Sequence, residues 1–212
     1  MALRRALPVM VSYFFISMAF GVLASPYFGS LSVLMSLSVF AGAAQFIALR
    51  MVEENADIWL IILTTLLINS RHLLMSSDMS GIFRGLNPIK RAVMAFGITD
   101  ETFAVGISSV KGTGDWGFQV RLNFLALSAW VSGTAFGIAF GQLIPEKIYS
   151  ILPFGLTAMF IAILTSSVRG ISYAVSAIVA GVIAVVIGSS TGIIFAALAG
   201  IVAGGVAERW TG

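Results

Sequence analysis

Cysteine is absent from this 212-residue sequence, which excludes disulfide bonds, thiolate nucleophiles and cysteine metal sites. Charge is also scarce: 10% of the residues are charged, whereas a soluble domain usually carries about 25%. With 58% hydrophobic residues, a surface of this composition would not stay dissolved in water, so lipid is the expected solvent. The net charge of +3 comes from basic residues in short connections, a membrane pattern that gives no reason to expect a nucleic-acid partner.

Sequence motifs for catalysis and nucleotide binding are missing too. The chain has no GxxxxGKS/T phosphate loop and no HExxH zinc motif. The letters GSSTG (188–192) fit the GxSxG pattern, but they lie between two apolar segments of helical length, whereas a nucleophile elbow joins a strand to a helix. One histidine, several serines and two acids permit a Ser-His-Asp site on paper, but no motif supports it. Apolar segments and short loops take up almost every residue, which leaves no room for a soluble domain. We therefore expect a protein that is not an enzyme and has no metal site and no cofactor.

Charge-free stretches define the candidate spans, because a transmembrane helix needs about 20 apolar residues. Residues 6–49 and 170–207 are each too long for one span, and the turn-forming stretches SPYFG (25–29) and GSSTG (188–192) divide them. The predicted fold is an all-α membrane protein, a polytopic bundle of seven or eight transmembrane helices in one domain, residues 1–212, with broken or re-entrant helices as an alternative for some spans. The helices are expected near residues 7–24, 30–50, 57–76, 92–110, 122–144, 151–168, 171–187 and 192–207.

The first predicted helix also resembles a signal peptide, with a basic start, an apolar stretch and small residues near residue 25. The alternative is a retained helix. We favour retention because every later segment is equally apolar and because this stretch is long for a signal.

Two rows of small residues recur at every fourth position, which places each row along one face of a helix. Such rows let two helix backbones approach closely. Packing within the chain is the favoured interpretation, and docking of a second chain is the alternative. The rows are Gly133, Gly137 and Gly141 in the fifth predicted helix, and Gly192, Ala196, Gly200 and Gly204 in the last.

Polar residues inside the predicted spans are the candidate functional residues. Asp100 and Glu101 fall at the middle of the span 92–110. Unless this segment is two half-helices that fold back, the two carboxylates lie at the membrane midplane and must face protein or water. Intramembrane acids of this kind indicate a functional site more often than a structural one.

A second polar group, Asn69, Arg71 and His72, lies in the span 57–76. Asn69 and His72 are three residues apart and share a helix face, whereas Arg71 points elsewhere. The helix could end near residue 70, which would leave Arg71 and His72 among lipid headgroups. The apolar residues that follow favour an intramembrane position. Because a buried charge is tolerated only when it is paired, we expect Arg71 to approach Asp100 or Glu101 around a polar cavity.

Such a cavity suits a zwitterion, whose carboxylate would meet Arg71 or the N-terminus of a half-helix and whose ammonium would meet an acid. His72 and the two acids could also carry a coupling proton. Gln45 adds a further buried amide in the second predicted helix, next to Gly42. An interhelical packing contact is the favoured role for Gln45, and substrate binding at an unwound helix is the alternative.

Three motifs, AGAAQF (41–46), NSRHLLM (69–75) and ITDETFAV (98–105), resemble the AzlC family in order and spacing. These are the large subunits of two-component branched-chain amino-acid exporters, also called the LIV-E or YgaZ-type family. AGAAQ departs from the more polar serine-and-glutamine version typical of the family. The resemblance implies a multi-pass protein of the bacterial inner membrane that exports leucine, isoleucine, valine or related amino acids. It also implies drive by the proton gradient and a small AzlD-like partner subunit.

The main alternative is a substrate-binding membrane component of an importer that uses separate ATPase subunits. Such a component needs a cytoplasmic docking surface, for which GIFRGLNPIKR (81–91) is the candidate segment. Charges of both signs within the spans favour the secondary transporter.

Overall fold

The computed structural model describes residues 2–143, 170–188 and 190–211, together with isolated positions between 145 and 165. All regular structure in these residues is helical, which confirms the predicted all-α fold class. The helices are α1 (Ala2–Phe28), α2 (Leu31–Ser38), α3 (Gly42–Glu53), α4 (Ile58–Asn69), α5 (Arg71–Ile82), α6 (Pro88–Phe96), α7 (Asp100–Val110), α8 (Trp116–Phe140), α9 (Ile171–Ile187) and α10 (Ser190–Thr211). A 3-10 turn, Gly141–Leu143, follows α8. Most of the predicted helix 151–168 lies outside the described residues.

Several helical stretches in the described part of the chain are long and apolar enough to cross a membrane. They are Ala2–Phe28, Ile58–Ile82, Trp116–Phe140 and Gly192–Trp210. The helix Ile171–Ile187 is apolar but shorter. The predicted division of residues 170–207 is correct: the chain turns at Gly188, whose φ of +61° is a left-handed conformation that glycine adopts without strain.

Two of the predicted spans are interrupted, which agrees with the alternative of broken helices for some spans. The span 30–50 consists of α2 and α3, separated by residues 39–41. The span 92–110 consists of the end of α6 and of α7, separated by residues 97–99, so it is two helical segments rather than one. A third span, 57–76, turns at Ser70 and continues beyond its predicted end to Ile82.

Helices α1 and α8 pack against each other through glycine. A Cβ atom at Gly133 would collide with the Phe14 carbonyl and the Ser17 hydroxyl, and one at Gly137 would collide with the Met18 carbonyl. The predicted row on α8 therefore lies against α1 of the same chain, and Gly141 continues it against Val22. Buried positions run along α1, and that this helix is retained stays a prediction.

The second glycine row packs within the chain in the same way. On α10, a Cβ at Gly200 would lie 3.0 Å from Ala180 Cβ, and one at Gly204 would lie 3.0 Å from Ser176 Cβ, both on α9. Ser176 Oγ also donates to the Gly200 carbonyl at 2.8 Å. At Gly192, the corresponding neighbour is the Ile187 side chain at 3.0 Å. Both rows are thus occupied by helices of this chain.

Replacing Gly137 by alanine is expected to destabilise the protein by about 1–3 kcal/mol, because the methyl group meets backbone that cannot move aside easily. The measurement is the thermal unfolding midpoint of the detergent-solubilised protein. Gly205→Ala is the matched control. Among the described residues no atom lies within 4 Å of its added Cβ, so stability should stay the same or rise by about 0.5 kcal/mol. Equal midpoints for both variants would contradict the α1–α8 packing.

The chain divides into two compact units. The first comprises Met1–Ile47 and Ile68–Gly155, and the second comprises Ala48–Leu67 and Leu156–Gly212. That residues 1–212 form a single transmembrane domain stays a prediction. All of the contacts that build the candidate site lie in the first unit.

Candidate functional site

An ion pair joins the α4–α5 turn to the start of α7. Arg71 Nη1 lies 2.9 Å from Asp100 Oδ2, and the two side chains are 28% and 24% exposed. The predicted approach of Arg71 to one of the two acids is therefore present, and Asp100 is the partner. Neither side chain is fully enclosed, so each keeps some exposed surface beside the pair.

The acids owe their position to the break between α6 and α7. Thr99 adopts an extended conformation and caps α7, since its hydroxyl accepts from the Thr102 N–H and its own N–H donates to the Thr102 hydroxyl. Asp100 and Glu101 consequently occupy the first turn of α7. Unpaired N–H groups at a helix start favour negative charge by about 0.3–1 kcal/mol. The break thus places two carboxylates where a helix N-terminus stabilises them.

Two amides of α8 hold the same break in place. Asn123 Nδ2 donates to the Met94 carbonyl at 3.0 Å, near the end of α6. Gln119 Nε2 donates to the Thr102 carbonyl at 3.3 Å and to Asn123 Oδ1 at 2.8 Å. Glycine makes this approach possible, because a Cβ at Gly106 would collide with the Gln119 amide. These bonds join α8 to the residues on both sides of the break; the Met94 carbonyl also accepts from the Gly97 N–H at 3.2 Å.

Tyr13 of α1 is the site residue that sequence analysis missed. Its hydroxyl lies 2.5 Å from Glu101 Oε2 and 2.5 Å from Thr99 Oγ1. The ring is 3% exposed and lies edge-on to Phe40 and Trp130, with centroids 5.8 and 5.2 Å apart. A buried tyrosine hydroxyl needs a partner, so a tyrosine inside an apolar span was the available signal.

The amide of Gln45 ties α2 and α3 to α8. Its Oε1 accepts from Trp130 Nε1 at 2.9 Å, and its Nε2 donates to Ser36 Oγ at 3.3 Å. Ser36 Oγ in turn lies 2.8 Å from Thr134 Oγ1. Gln45 is fully buried. These contacts join helices near the break between α2 and α3, and both the packing role and the substrate role of Gln45 stay predictions.

The α4–α5 turn contains the two remaining predicted residues. His72 Nδ1 lies 3.1 Å from the Asn69 backbone oxygen, so this pair bonds locally. Within the described residues, Asn69 Oδ1 and Arg71 Nε are buried without a hydrogen-bond partner. A buried donor and a buried acceptor without partners are costly, by about 1–3 kcal/mol each. The turn therefore offers one unsatisfied donor and one unsatisfied acceptor beside the ion pair.

These residues lie near the middle of their helices. The midpoints of residues 2–28, 58–82 and 116–140 are 15, 70 and 128, so Tyr13, Arg71 and Trp130 lie within two residues of them. Two residues of helix correspond to about 3 Å along the axis. Arg71 thus lies one residue from the midpoint of Ile58–Ile82 and its guanidinium bonds to an acid, and that it lies at membrane depth rather than among headgroups stays a prediction.

The fold and the site together define a class, the multi-pass helical membrane protein with paired charges inside its helical bundle. Residues 8–144 match the protein family described as AzlC protein. The chain belongs to the AzlC family, as its three sequence motifs indicate.

The relatives of this chain are membrane proteins from bacteria and archaea. Inner membrane protein YgaZ of Escherichia coli K12 is 34% identical over 95% of this chain and 85% of its own length. An uncharacterized membrane protein of Archaeoglobus fulgidus is 32% identical over 91% of this chain and 88% of its own length. Branched-chain amino acid transport protein AzlC of Bacillus subtilis is 29% identical over 76% of this chain and 65% of its own length. No solved structure matches the chain significantly.

Proposed function

We propose that this protein is the large subunit of a secondary transporter that exports branched-chain or similar small apolar amino acids across the bacterial inner membrane. Transport is driven by the proton gradient and requires a small AzlD-like membrane subunit. The name of the Bacillus subtilis relative, a branched-chain amino acid transport protein, supports the substrate class. Export direction, proton coupling and the partner follow from the family resemblance of the sequence motifs.

The observation that carries the proposal is the partly exposed ion pair of Arg71 and Asp100. A zwitterionic amino acid presents one carboxylate and one ammonium, which match the two members of the pair. Arg71 retains a buried donor, Nε, without a partner among the described residues. A substrate carboxylate can accept from that N–H while the ammonium approaches Asp100. When an amino acid binds, its carboxylate pairs with Arg71 and its ammonium pairs with Asp100. Neither member of the pair is then left as an unpaired charge.

An apolar substrate side chain also has suitable neighbours near the site. Phe40 and Trp130 surround the Tyr13 ring, whose hydroxyl reaches Glu101 beside Asp100. These rings are buried against one another, so the wall behind the acids is apolar, and a second charge placed against it would be costly to bury. Leucine, isoleucine and valine are therefore expected to compete with one another, whereas lysine and glutamate are not.

Transport by the purified protein in proteoliposomes tests this function. The expected result is exchange of radiolabelled leucine against internal leucine, isoleucine or valine, with accumulation that follows an imposed pH gradient when the small partner subunit is co-reconstituted. A protonophore should collapse the accumulation while ATP is held constant. Accumulation that ignores the protonophore but needs added ATPase subunits would instead favour the importer component. No movement of any branched-chain amino acid, with or without the partner, would contradict the proposal.

A further inference from the structure

A chain of hydroxyl groups connects Glu101 to the break between α6 and α7. Tyr13 Oη lies 2.5 Å from Glu101 Oε2 and 2.5 Å from Thr99 Oγ1. Thr99 Oγ1 lies 3.2 Å from Thr102 Oγ1, which donates to the Gly97 carbonyl at 2.8 Å. Every hydroxyl in this chain is buried. A hydroxyl both donates and accepts, so the direction of the bonds between Glu101 and Thr102 is not fixed by the oxygen positions.

With Glu101 ionised, the hydroxyls point toward the carboxylate. The Tyr13 hydroxyl donates to Glu101, and the Thr99 hydroxyl donates to Tyr13 Oη. The oxygen of Thr99 still accepts from the Thr102 N–H, at 3.3 Å. Each oxygen then has a partner, and the carboxylate receives a hydrogen bond that stabilises its charge.

With Glu101 protonated, the same chain runs in the opposite direction. The new carboxyl O–H donates to Tyr13 Oη, Tyr13 donates to Thr99, and Thr99 donates to Thr102 Oγ1, whose own bond to Gly97 is unchanged. The added proton stays on the carboxyl oxygen, and each hydroxyl keeps its own hydrogen, which only rotates. No buried group loses its partner in either state, so the usual penalty for an unsatisfied polar group is avoided in both.

From this geometry we propose that Glu101 is the residue that binds the coupling proton and that Tyr13 and Thr99 are positioning residues for it, an inference that rests on the proposed function. Asp100 has a different task. It is bonded to Arg71 at 2.9 Å, and protonation would remove the charge that holds the guanidinium. The two adjacent acids therefore have different roles. Asp100 forms the substrate-binding ion pair with Arg71, and Glu101 binds and releases the proton.

The surroundings of Glu101 are compatible with two protonation states. Among the described residues, the titratable or charged groups that face it are Tyr13 from α1, Asp100 from its own helix and Arg71 from the α4–α5 turn. The α8 residues nearest the break, Gln119 and Asn123, are neutral amides bonded to backbone carbonyls. One cation is thus shared by two acids, and Asp100 already takes it in an ion pair. Protonation of Glu101 leaves that pair with balanced charge.

The test separates exchange from proton-driven transport in proteoliposomes that contain the full chain and its small partner subunit. Radiolabelled leucine is the probe. Glu101→Gln is the main variant, because its amide NH₂ can donate to Tyr13 as the protonated acid does. We expect it to lose pH-gradient-driven leucine accumulation by at least about tenfold, while leucine counterflow at equal pH persists at about one third of the wild-type rate or more. Asp100→Asn is expected to lose both activities.

Tyr13→Phe supplies a second test. Its readout is the pH dependence of leucine accumulation, which should not change if Tyr13 serves only in packing. Phenylalanine keeps the ring contacts but interrupts the hydroxyl chain between Glu101 and Thr99. The pH dependence of leucine accumulation should be displaced by about one pH unit relative to wild type. Tyr27→Phe, in the same helix, is the matched control because the Tyr27 side chain is exposed, and its profile should coincide with that of wild type.

Several results would overturn the inference. One is a Glu101→Gln protein that follows the pH gradient as wild type does, and another is a Glu101→Gln protein that loses counterflow together with the pH response. A Tyr13→Phe profile that coincides with wild type would also contradict it. If wild type exchanges leucine but the variants behave in these ways, only the role of Glu101 fails. If wild type moves no branched-chain amino acid, the proposed function fails, and the inference fails with it.

Discussion

Replacing Arg71 by glutamine is expected to reduce leucine exchange by about tenfold to a hundredfold. A hydrogen bond between charged groups contributes about 1.5–3 kcal/mol, and each 1.4 kcal/mol is tenfold in binding. The substrate carboxylate would lose the guanidinium, and Asp100 would be left as an unpaired acid near the middle of the helical bundle. Asp100→Asn should have a loss of similar size, measured by counterflow of radiolabelled leucine in proteoliposomes.

The double variant Arg71→Gln/Asp100→Asn separates the structural role of the pair from its role in transport. Each single change leaves one charge uncompensated, which costs up to about 3–5 kcal/mol for a fully buried pair and less here because both side chains are partly exposed. The double change leaves two neutral amides that can bond to each other. Thermal stability in detergent should therefore fall in both single variants and recover in the double variant. Transport should remain reduced in all of them.

Arg50→Gln is the matched control for this comparison. Arg50 also pairs with acids, 3.3 Å from Glu53 and 2.9 Å from Glu54, but its side chain is 69% exposed. Exposed pairs contribute about 0–1 kcal/mol, so neither stability nor exchange should change much. A double variant that regains exchange along with stability would show that the pair only supports the fold. That outcome would remove the main support for the proposed substrate site.

The pairing of Arg71 could be predicted from the sequence because lipid makes the rule strict. An arginine and two acids within apolar spans must find partners of opposite charge, and the candidates were few. The glycine rows were predictable for a similar reason, since a spacing of four residues defines a helix face regardless of the partner. Composition and spacing are sufficient to predict the contacts of a residue wherever that residue has only one low-energy environment.

The interruptions of the helices could not be placed from local sequence alone. The break between α6 and α7 depends on Asn123 and Gln119, which lie 29 residues after Met94 and 17 after Thr102, respectively. Thr99 and Thr102 do have the spacing of a capping pair, a local signal that marks the start of α7. Apolar residues on both sides concealed it, because they extend the hydrophobic run that defines a span. Breaks made by tertiary hydrogen bonds are visible only once the helices are packed.

Tyr13 escaped prediction because its partners are distant in the sequence. The hydroxyl meets Thr99 and Glu101, 86 and 88 residues away. A tyrosine in an apolar helix is equally compatible with a headgroup position at the membrane surface, which is the commoner location. Only the contact of α1 with the start of α7 distinguishes the two positions.

Replacing Trp130 by alanine is expected to produce the largest loss of stability, about 3–5 kcal/mol, because it leaves a cavity in the centre of the first unit. The indole is 2% exposed and donates to Gln45 Oε1 at 2.9 Å. It also packs over the start of α3, where a Cβ at Gly42 would collide with the ring. The thermal unfolding midpoint in detergent measures the effect. Trp59→Ala is the matched control, since Trp59 is 73% exposed and should change stability little.

Trp130→Phe separates the contribution of the hydrogen bond to this loss of stability from the contribution of packing. Phenylalanine fills part of the cavity but cannot donate to Gln45, whose buried oxygen would then lose its partner at a cost of about 1–3 kcal/mol. Because the indole also packs against Tyr13, with ring centroids 5.2 Å apart, the alanine variant should displace the Tyr13 hydroxyl from Glu101 and reduce leucine accumulation. The phenylalanine variant should retain more of that activity. If Trp130→Ala lowered stability no more than Trp59→Ala does, the central position of this ring would be wrong.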